Sequence, residues 1–150
     1  MRLKETVGKR SNKVKNIVER GAVKRFAEAI GDPHPIFIDE EVGRKSRYKN
    51  NIAPPTFSRV FDYGVVEGLN LPNKGLIHGE QIYHFTRPLF VGEEINCYTE
   101  VKKYYERKGK NGEMGFLVLK VYGEDTVGEL IFTAEQIVII NEVVRKALSV

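Results

Sequence analysis

Cysteine is almost absent from this chain, since Cys97 stands alone among 150 residues. It cannot form a disulfide within the chain, and a zinc site built from several cysteines is excluded. We expect it to be a buried strand thiol. Long apolar runs are also missing, because those present, such as residues 137–140, are far too short to span a bilayer. The first residues are charged and lead into no apolar stretch, so we expect no signal peptide and a cytoplasmic protein without a membrane partner.

The residues that are present have the composition of an ordinary globular domain. Hydrophobic residues make up 41% of the chain and charged residues 29%. These fractions exclude a disordered tail and a collagen-like fibre. A chain of this length favours a single domain that can bury a core without a disulfide.

Positive charge is concentrated near the beginning of the sequence. Residues 1–25 hold nine Lys or Arg against two Asp or Glu, a net charge of +7, whereas the remaining residues hold fifteen against eighteen, a net of −3. Such a segment could meet a nucleic acid, a phosphate group or an acidic partner, or could simply form a solvated face. No aromatic residue precedes Phe26, and no phosphate loop or zinc-finger pattern occurs, so we expect no nucleic-acid partner.

Helical spacing dominates the first half of the chain. A stripe at Val23, Phe26, Ala27 and Ile30 predicts a helix that ends at Gly31. A short strand is predicted within residues 13–19, and a short helix within residues 39–48 with Asp39 as its N-cap.

Two proline-containing loops are predicted to be stiff, at residues 32–37 and 50–55. The second loop leads into an apolar stripe that predicts a central helix over about 56–68, capped by Thr56 and covered by other parts of the protein.

The second half of the chain has the pattern of strands. Stretches rich in β-branched and aromatic residues predict strands at residues 76–86, 94–107, 113–124 and 129–140, with turns at 110–112 and 124–128. The last three strands follow one another in hairpin order, so they form an antiparallel meander. The expected fold is α+β, with the helix at 56–68 packed on this sheet.

A helix wrapped by a long antiparallel sheet is the hot-dog architecture, and three ordered motifs resemble one family that has it. Residues 26–37, FAEAIGDPHPIF, are similar to the hydratase motif of the MaoC-like (R)-specific hydratases and dehydratases. Residues 52–57, IAPPTF, and residues 75–93, which begin GLIHGEQ, resemble the FAS1-like dehydratase branch. The resemblance covers about residues 12–140, so residues 1–150 are interpreted as one hot-dog domain.

The resemblance implies a catalytic pair, and this chain retains part of it. In the family the motif's Asp and the His five residues later act together, while a main-chain amide at the start of the central helix polarises the thioester carbonyl. Asp32 matches the Asp, His34 occupies an Asn position, and Phe37 stands where the His is expected. The catalytic candidates are therefore Asp32 and His34, although Asp32 could instead cap a turn and His34 could be an ordinary loop residue.

The resemblance also implies where the substrate lies. Pro54 and Pro55 replace the His-Gly pair that precedes the helix in catalytic relatives, and proline has no N–H, so the Thr56 and Phe57 amides remain as candidate donors. The predicted substrate contacts are Pro54, Pro55, Thr56, Phe57, His78 and Gly79.

Metal ligation is not expected on the strand at residues 76–86. His78, Glu80 and His84 would share one face of a regular strand. However, the two histidines would be about 20 Å apart, too far to hold one ion. No cofactor is implied by the family.

Two functions remain open at this point. The first is an (R)-3-hydroxyacyl-thioester dehydratase or enoyl-thioester hydratase, or a subunit of one, acting on acyl-CoA or acyl-carrier-protein thioesters. The alternative is a non-catalytic acyl-binding subunit, because losses such as that at Phe37 are found in such subunits of heterodimeric members. Exposed strand edges predict a homodimer or a heterodimer with a related hot-dog subunit. Whether the chain is active alone stays open.

Overall fold

The structure is a computed structural model that describes residues 3–110 and 112–148. Its helices are α1 (Leu3–Thr6), α2 (Arg20–Ala29), α3 (Pro35–Ile38), α4 (Glu40–Lys45), a 3-10 helix (Pro55–Val60) and α5 (Glu142–Ala147). Its strands are β1 (Val14–Ile17), β2 (Leu76–Phe85), β3 (Glu94–Gly109), β4 (Gly112–Glu124) and β5 (Leu130–Ile140). None of the helices in these described ranges is long and apolar enough to cross a membrane.

The five strands form one sheet in the order β1-β3-β4-β5-β2, and each neighbouring pair is antiparallel. The predicted α+β class and the β3-β4-β5 meander are confirmed. Asn111 of the predicted turn at residues 110–112 lies outside the described residues. The order places β1 and β2 at the two edges, so within the described residues no strand pairs with one side of the ten-residue β2.

One face of the sheet, here called the inner face, carries the core. Because side chains alternate along a strand, the inner face takes every second residue of β3, β4 and β5. One apolar cluster gathers Cys97, Phe57 and Phe132 near one end of the strands. A second gathers Leu3, Val101 and Ile140 near the other end, where α5 also packs. Cys97 is fully buried in β3, as predicted.

The helices of the first half follow the sequence closely. The α2 stripe buries Val23 and Ala27, and the chain leaves the helix at Gly31 with φ +76°, a conformation that glycine adopts without strain. Asp39 caps α4 by accepting hydrogen bonds from the amides of Glu41 and Val42, as expected.

The predicted loop at residues 32–37 is partly helical. Its second half forms α3, with Pro35 at the first helical position. Proline there loses no helical hydrogen bond and its fixed φ suits the helix, which is why a segment read as extended turns into a helical start.

The predicted central helix over 56–68 is wrong in its extent. The chain forms only the 3-10 helix Pro55–Val60, whose N-cap is Pro54, not Thr56. Gly64 and Gly68 have φ +77° and +84°, which a right-handed helix excludes. Val65 is 81% exposed, so the apolar stripe does not continue past Phe61. The segment from Phe61 to Gly75 crosses the inner face as irregular chain instead.

The basic N-terminal segment lies against the sheet. Arg10 contacts Glu100 at 2.7 Å, Lys13 contacts Glu124 at 2.9 Å, and Lys15 contacts Glu94 at 3.2 Å. Part of its positive charge is therefore balanced within the molecule.

Candidate functional site

The motif loop presents both catalytic candidates to solvent. Asp32 is exposed, and its backbone amide donates to the Ala27 carbonyl at 2.9 Å, which anchors the loop to the end of α2. His34 is also exposed and precedes α3.

The imidazole of His34 serves as the N-cap of α3. Its Nδ1 accepts a hydrogen bond from the Ile36 amide at 3.1 Å. A ring that accepts at Nδ1 carries its proton on Nε2 when neutral. Because Nε2 already carries the ring proton, it can accept a proton from a substrate only after the ring proton is moved to Nδ1, which breaks the cap; this weakens His34 as a general base.

Phe37 is a core residue. It is 8% exposed, belongs to the first apolar cluster, and its ring lies 6.1 Å from that of His34. The position at which the family motif places its acid–base side chain is therefore filled by a packed phenyl ring, which cannot transfer a proton.

Asn51 holds the two proline loops together. Its side-chain amide donates to the carbonyls of Ile36 and Asp39, both at 2.8 Å, while its oxygen accepts from Arg20 at 2.8 Å. The residue is 1% exposed. This buried, satisfied amide fixes α3 against residues 50–55.

At the start of the 3-10 helix, one of the two predicted amide donors has no backbone acceptor among the described residues. Pro54 and Phe57 are buried, whereas Pro55 and Thr56 are exposed. The Phe57 amide donates to the Pro54 carbonyl at 2.9 Å, so it is occupied. The Thr56 amide has no acceptor within the helix, because the first amides of a helix lack partners there. Of the two donors predicted, Thr56 alone remains.

A bulge in β2 changes the orientation of His78. The register with β5 shifts between His78 and Glu80, so His78 faces Val138 and belongs to the inner face, as Gln81 does opposite Gln136. The expectation that His78, Glu80 and His84 share one face is therefore wrong. A Cβ at Gly79 would lie 2.8 Å from the Ile139 Cδ1 atom, so a side chain at this position would require Ile139 to move.

A cavity of about 210 Å³ lies between the 3-10 helix and the inner face of the sheet. The strands contribute its floor, and the helix with the following segment contributes its opposite wall. We call it the belt cavity, because it separates the two apolar clusters; it is lined by Ser58, Arg59, Tyr63, Gln81, Tyr83, Val121, Ala134 and Gln136.

Hydrogen bonds connect the belt cavity to predicted residues. The Gln81 Oε1 atom accepts from Arg59 at 3.1 Å and lies 3.1 Å from His78 Nε2. The Tyr63 hydroxyl donates to the Ser58 carbonyl at 2.5 Å. Burial raises the pKa of Tyr63 above its ordinary value, so its hydroxyl stays protonated. Tyr63 is therefore present in the cavity as a hydrogen-bond donor and not as a base.

Some predicted residues come together here and others do not. Phe57 and Thr56 lie on the helix that forms one wall, and His78 reaches the cavity through Gln81. Asp32 and His34 do not line it. Sequence reasoning missed Arg59, Gln81, Tyr83 and Gln136. The available signal was Arg59, the single cation in residues 56–68.

Comparison with known proteins identifies relatives along most of the chain. Residues 5–134 match the family model described as "FAS1-like, dehydratase domain region". A UPF0336 protein of Streptomyces avermitilis is 32% identical over 125 residues, which cover 78% of this chain and 79% of that protein.

Solved structures show the same fold at low identity. The HadBC (3R-hydroxyacyl-ACP dehydratase) complex of Mycobacterium tuberculosis matches with a TM-score of 0.70 at 21% identity, covering 89% of this chain and 96% of that one. The (R)-hydratase PhaJ1 of Pseudomonas aeruginosa matches at 0.65 and 21%, covering 91% and 82%. The ChsH1-ChsH2 complex of M. tuberculosis matches at 0.71 and 18%, covering 91% and 85%. These overlaps confirm the hot-dog fold, and the match to the family model confirms the resemblance to the FAS1-like dehydratase branch.

Proposed function

Because the chain belongs to the family of FAS1-like dehydratase domains, we propose that it is the acyl-thioester-binding subunit of a heteromeric (R)-3-hydroxyacyl-thioester dehydratase or enoyl-thioester hydratase. The observation that carries this proposal is Phe37, a buried phenyl ring at the position of the motif's acid–base His. A general acid–base group contributes roughly 10² to 10⁴-fold to such a reaction, and Phe37 cannot supply it.

The division of labour follows from the remaining residues. This subunit holds the acyl group in the belt cavity, and the Thr56 amide is available to the thioester carbonyl. A catalytic MaoC-like partner supplies the Asp and His that move the proton and the water. The acyl group is carried by coenzyme A or an acyl carrier protein, and no cofactor takes part.

The unpaired side of β2 supports a partner at the site. β2 contributes Gln81 and Tyr83 to the belt cavity, so a second hot-dog subunit added along this edge would lie next to the bound acyl group. HadBC and ChsH1-ChsH2, both similar in fold, are complexes. We place this assembly in the cytoplasm.

The competing possibility is that the chain is active alone, with His34 and Asp32 in place of the family pair. Both are exposed on one loop, so a substrate could reach them. Against this, His34 Nδ1 is already engaged with Ile36.

The test is hydration of crotonyl-CoA by the pure protein, alone and with a catalytic MaoC-like subunit. We expect no turnover alone, binding of the thioester, and turnover once the partner is added. Restoration of turnover by Phe37→His would support the same conclusion. The proposal fails if the pure protein is active and His34→Ala or Asp32→Asn lowers the rate more than about tenfold.

A further inference from the structure

The charge of the belt cavity comes from one side chain. Arg59 is the cation among its lining residues, and none of those residues is Asp or Glu. Within the described ranges Arg59 forms no ion pair, and its side chain makes one hydrogen bond, to Gln81. A guanidinium has five N–H donors, so most of them remain available to a ligand.

Further donors line the same cavity. Gln81 Oε1 is occupied by Arg59 and His78, which leaves the NH₂ group of Gln81 as its free end. Across the described chain, the side-chain amide of Gln136 and the hydroxyl of Tyr83 have no hydrogen-bond partner. The cavity thus combines a cation with several neutral donors and lacks a negative group of its own.

An unbranched alkyl chain would cover the apolar part of these walls but leave their polar groups without partners. It would take water from Arg59, Gln136 and Gln81 without returning hydrogen bonds, which is unfavourable. The volume, about 210 Å³, is also below the roughly 300–1,000 Å³ of a typical small-molecule site, so it admits a short group. Apolar contact for a few methylenes comes from Val121, Ala134 and the rings of Tyr63 and Tyr83.

We infer that the acyl group bound in the belt cavity is short and ends in a carboxylate, which pairs with Arg59. This inference rests on the proposed function, because it assigns the substrate class of the same thioester site. A carboxylate accepts two parallel N–H bonds from a guanidinium, and this geometry gives specificity as well as affinity. Arg59 is then the specificity-determining residue.

The experiment compares two saturated thioesters of four-carbon acyl groups, which a hydratase cannot turn over. Succinyl-CoA and butyryl-CoA share the carrier and differ in the terminal carboxylate. Binding to the full-length pure protein is measured by titration calorimetry for wild type, Arg59→Gln and the surface control Arg47→Ala. We expect wild type and the control to bind succinyl-CoA at least tenfold more tightly than butyryl-CoA. Arg59→Gln should lose that preference while keeping its affinity for butyryl-CoA.

Each other outcome overturns the inference in a recognisable way. Equal affinity of wild type for both thioesters would refute the carboxylate but leave the proposed function intact. An equal loss for both thioesters in Arg59→Gln would assign Arg59 to the phosphates of the carrier. Dissociation of the oligomer by Arg59→Gln, seen by sedimentation, would assign Arg59 to a subunit contact. Binding of neither thioester would refute the proposed function, and this inference with it.

Discussion

Glu100 is a carboxylate held at the sheet surface by three neighbours. Its side chain is 10% exposed and lies 2.7 Å from Arg10 and 3.4 Å from Lys102, and the Tyr122 hydroxyl donates to it at 3.0 Å. Burial raises the pKa of Glu100, but the hydrogen bonds from Arg10 and Tyr122 outweigh burial, so the pKa is lowered overall. The charged form is therefore the one that the folded protein favours.

This lowered pKa predicts an acid-dependent loss of stability. A carboxyl group whose pKa is lower in the folded state stabilises it above the unfolded pKa, about 4.3, and this contribution disappears as the pH falls through the folded value. We expect the free energy of unfolding of the wild type to decrease between pH 5 and 3 more steeply than that of Glu100→Gln, measured by urea unfolding. Glu67→Gln, an exposed carboxyl, is the control and should follow the wild type. Parallel curves for wild type and Glu100→Gln would contradict the assigned shift.

Single residues also show what the sequence could reveal about the site. The resemblance to the hydratase motif is sufficient to show that Phe37 replaces the motif His and that His34 occupies an Asn position. The hydrogen bond that engages Nδ1 of His34 is not, because it depends on the turn that α3 makes. Arg59 is visible only as an isolated cation, since its partner Gln81 lies on a distant strand.

At the scale of elements, strands were predicted more accurately than helices. The observed strands begin and end within a few residues of the predicted ones, because each alternates and is bounded by turn residues. The segment 56–68 was misjudged because its apolar residues are spaced as in a helix, while Gly64 and Gly68 adopt left-handed φ angles that spacing does not encode.

Replacing these glycines with alanine distinguishes a continuous helix from the observed irregular segment, because the two predict changes of opposite sign in the free energy of unfolding. In a continuous helix each Gly→Ala change would stabilise the protein by about 1 kcal/mol. In the observed structure each change is expected to destabilise it by roughly 1–2 kcal/mol, because alanine is strained at φ above zero. The measurement is the free energy of unfolding in urea.

The two substitutions also serve as controls for each other, because the space around the two glycines differs. A Cβ at Gly64 would lie 2.9 Å from the Asn12 carbonyl oxygen, whereas at Gly68 its nearest neighbour is Lys9 Nζ at 3.6 Å. Gly64→Ala should therefore destabilise the protein more than Gly68→Ala. Stabilisation by either substitution would favour the continuous helix.

At the scale of the whole molecule, the unpaired β2 edge predicts association. Ile77 and Ile82 on this strand are 52% and 40% exposed. We expect the pure protein to sediment as a dimer at tens of micromolar, and Ile77→Lys with Ile82→Lys to produce a monomer, because like charges then meet across the strands. Ile30→Lys, at the 48% exposed residue that caps the C-terminus of α2, should leave the dimer intact. A monomeric wild type would contradict self-association and point to a different partner.

The architecture as a whole was accessible from the sequence, but the cavity was not. Strand patterns and three motifs were sufficient to predict the α+β class and the hot-dog fold. The belt cavity joins Arg59, Gln81 and Gln136, which come from three separate parts of the chain, and their meeting depends on strand order and register. No local pattern in one sequence specifies such a meeting.

The order of strands in the sheet also determines when the chain can fold. β3, β4 and β5 are joined by short turns. The edge strands instead pair with residues far along the chain, since Val14 pairs with Cys97 and Leu76 with Ile140. Contacts that close long loops form late, and a chain emerging from the ribosome offers its N-terminal part first. The motif loop and the 3-10 helix are thus synthesised well before the sheet that supports them. Ala134 and Gln136 of β5 complete the belt cavity, so a nascent chain has no such cavity until its last strand has emerged.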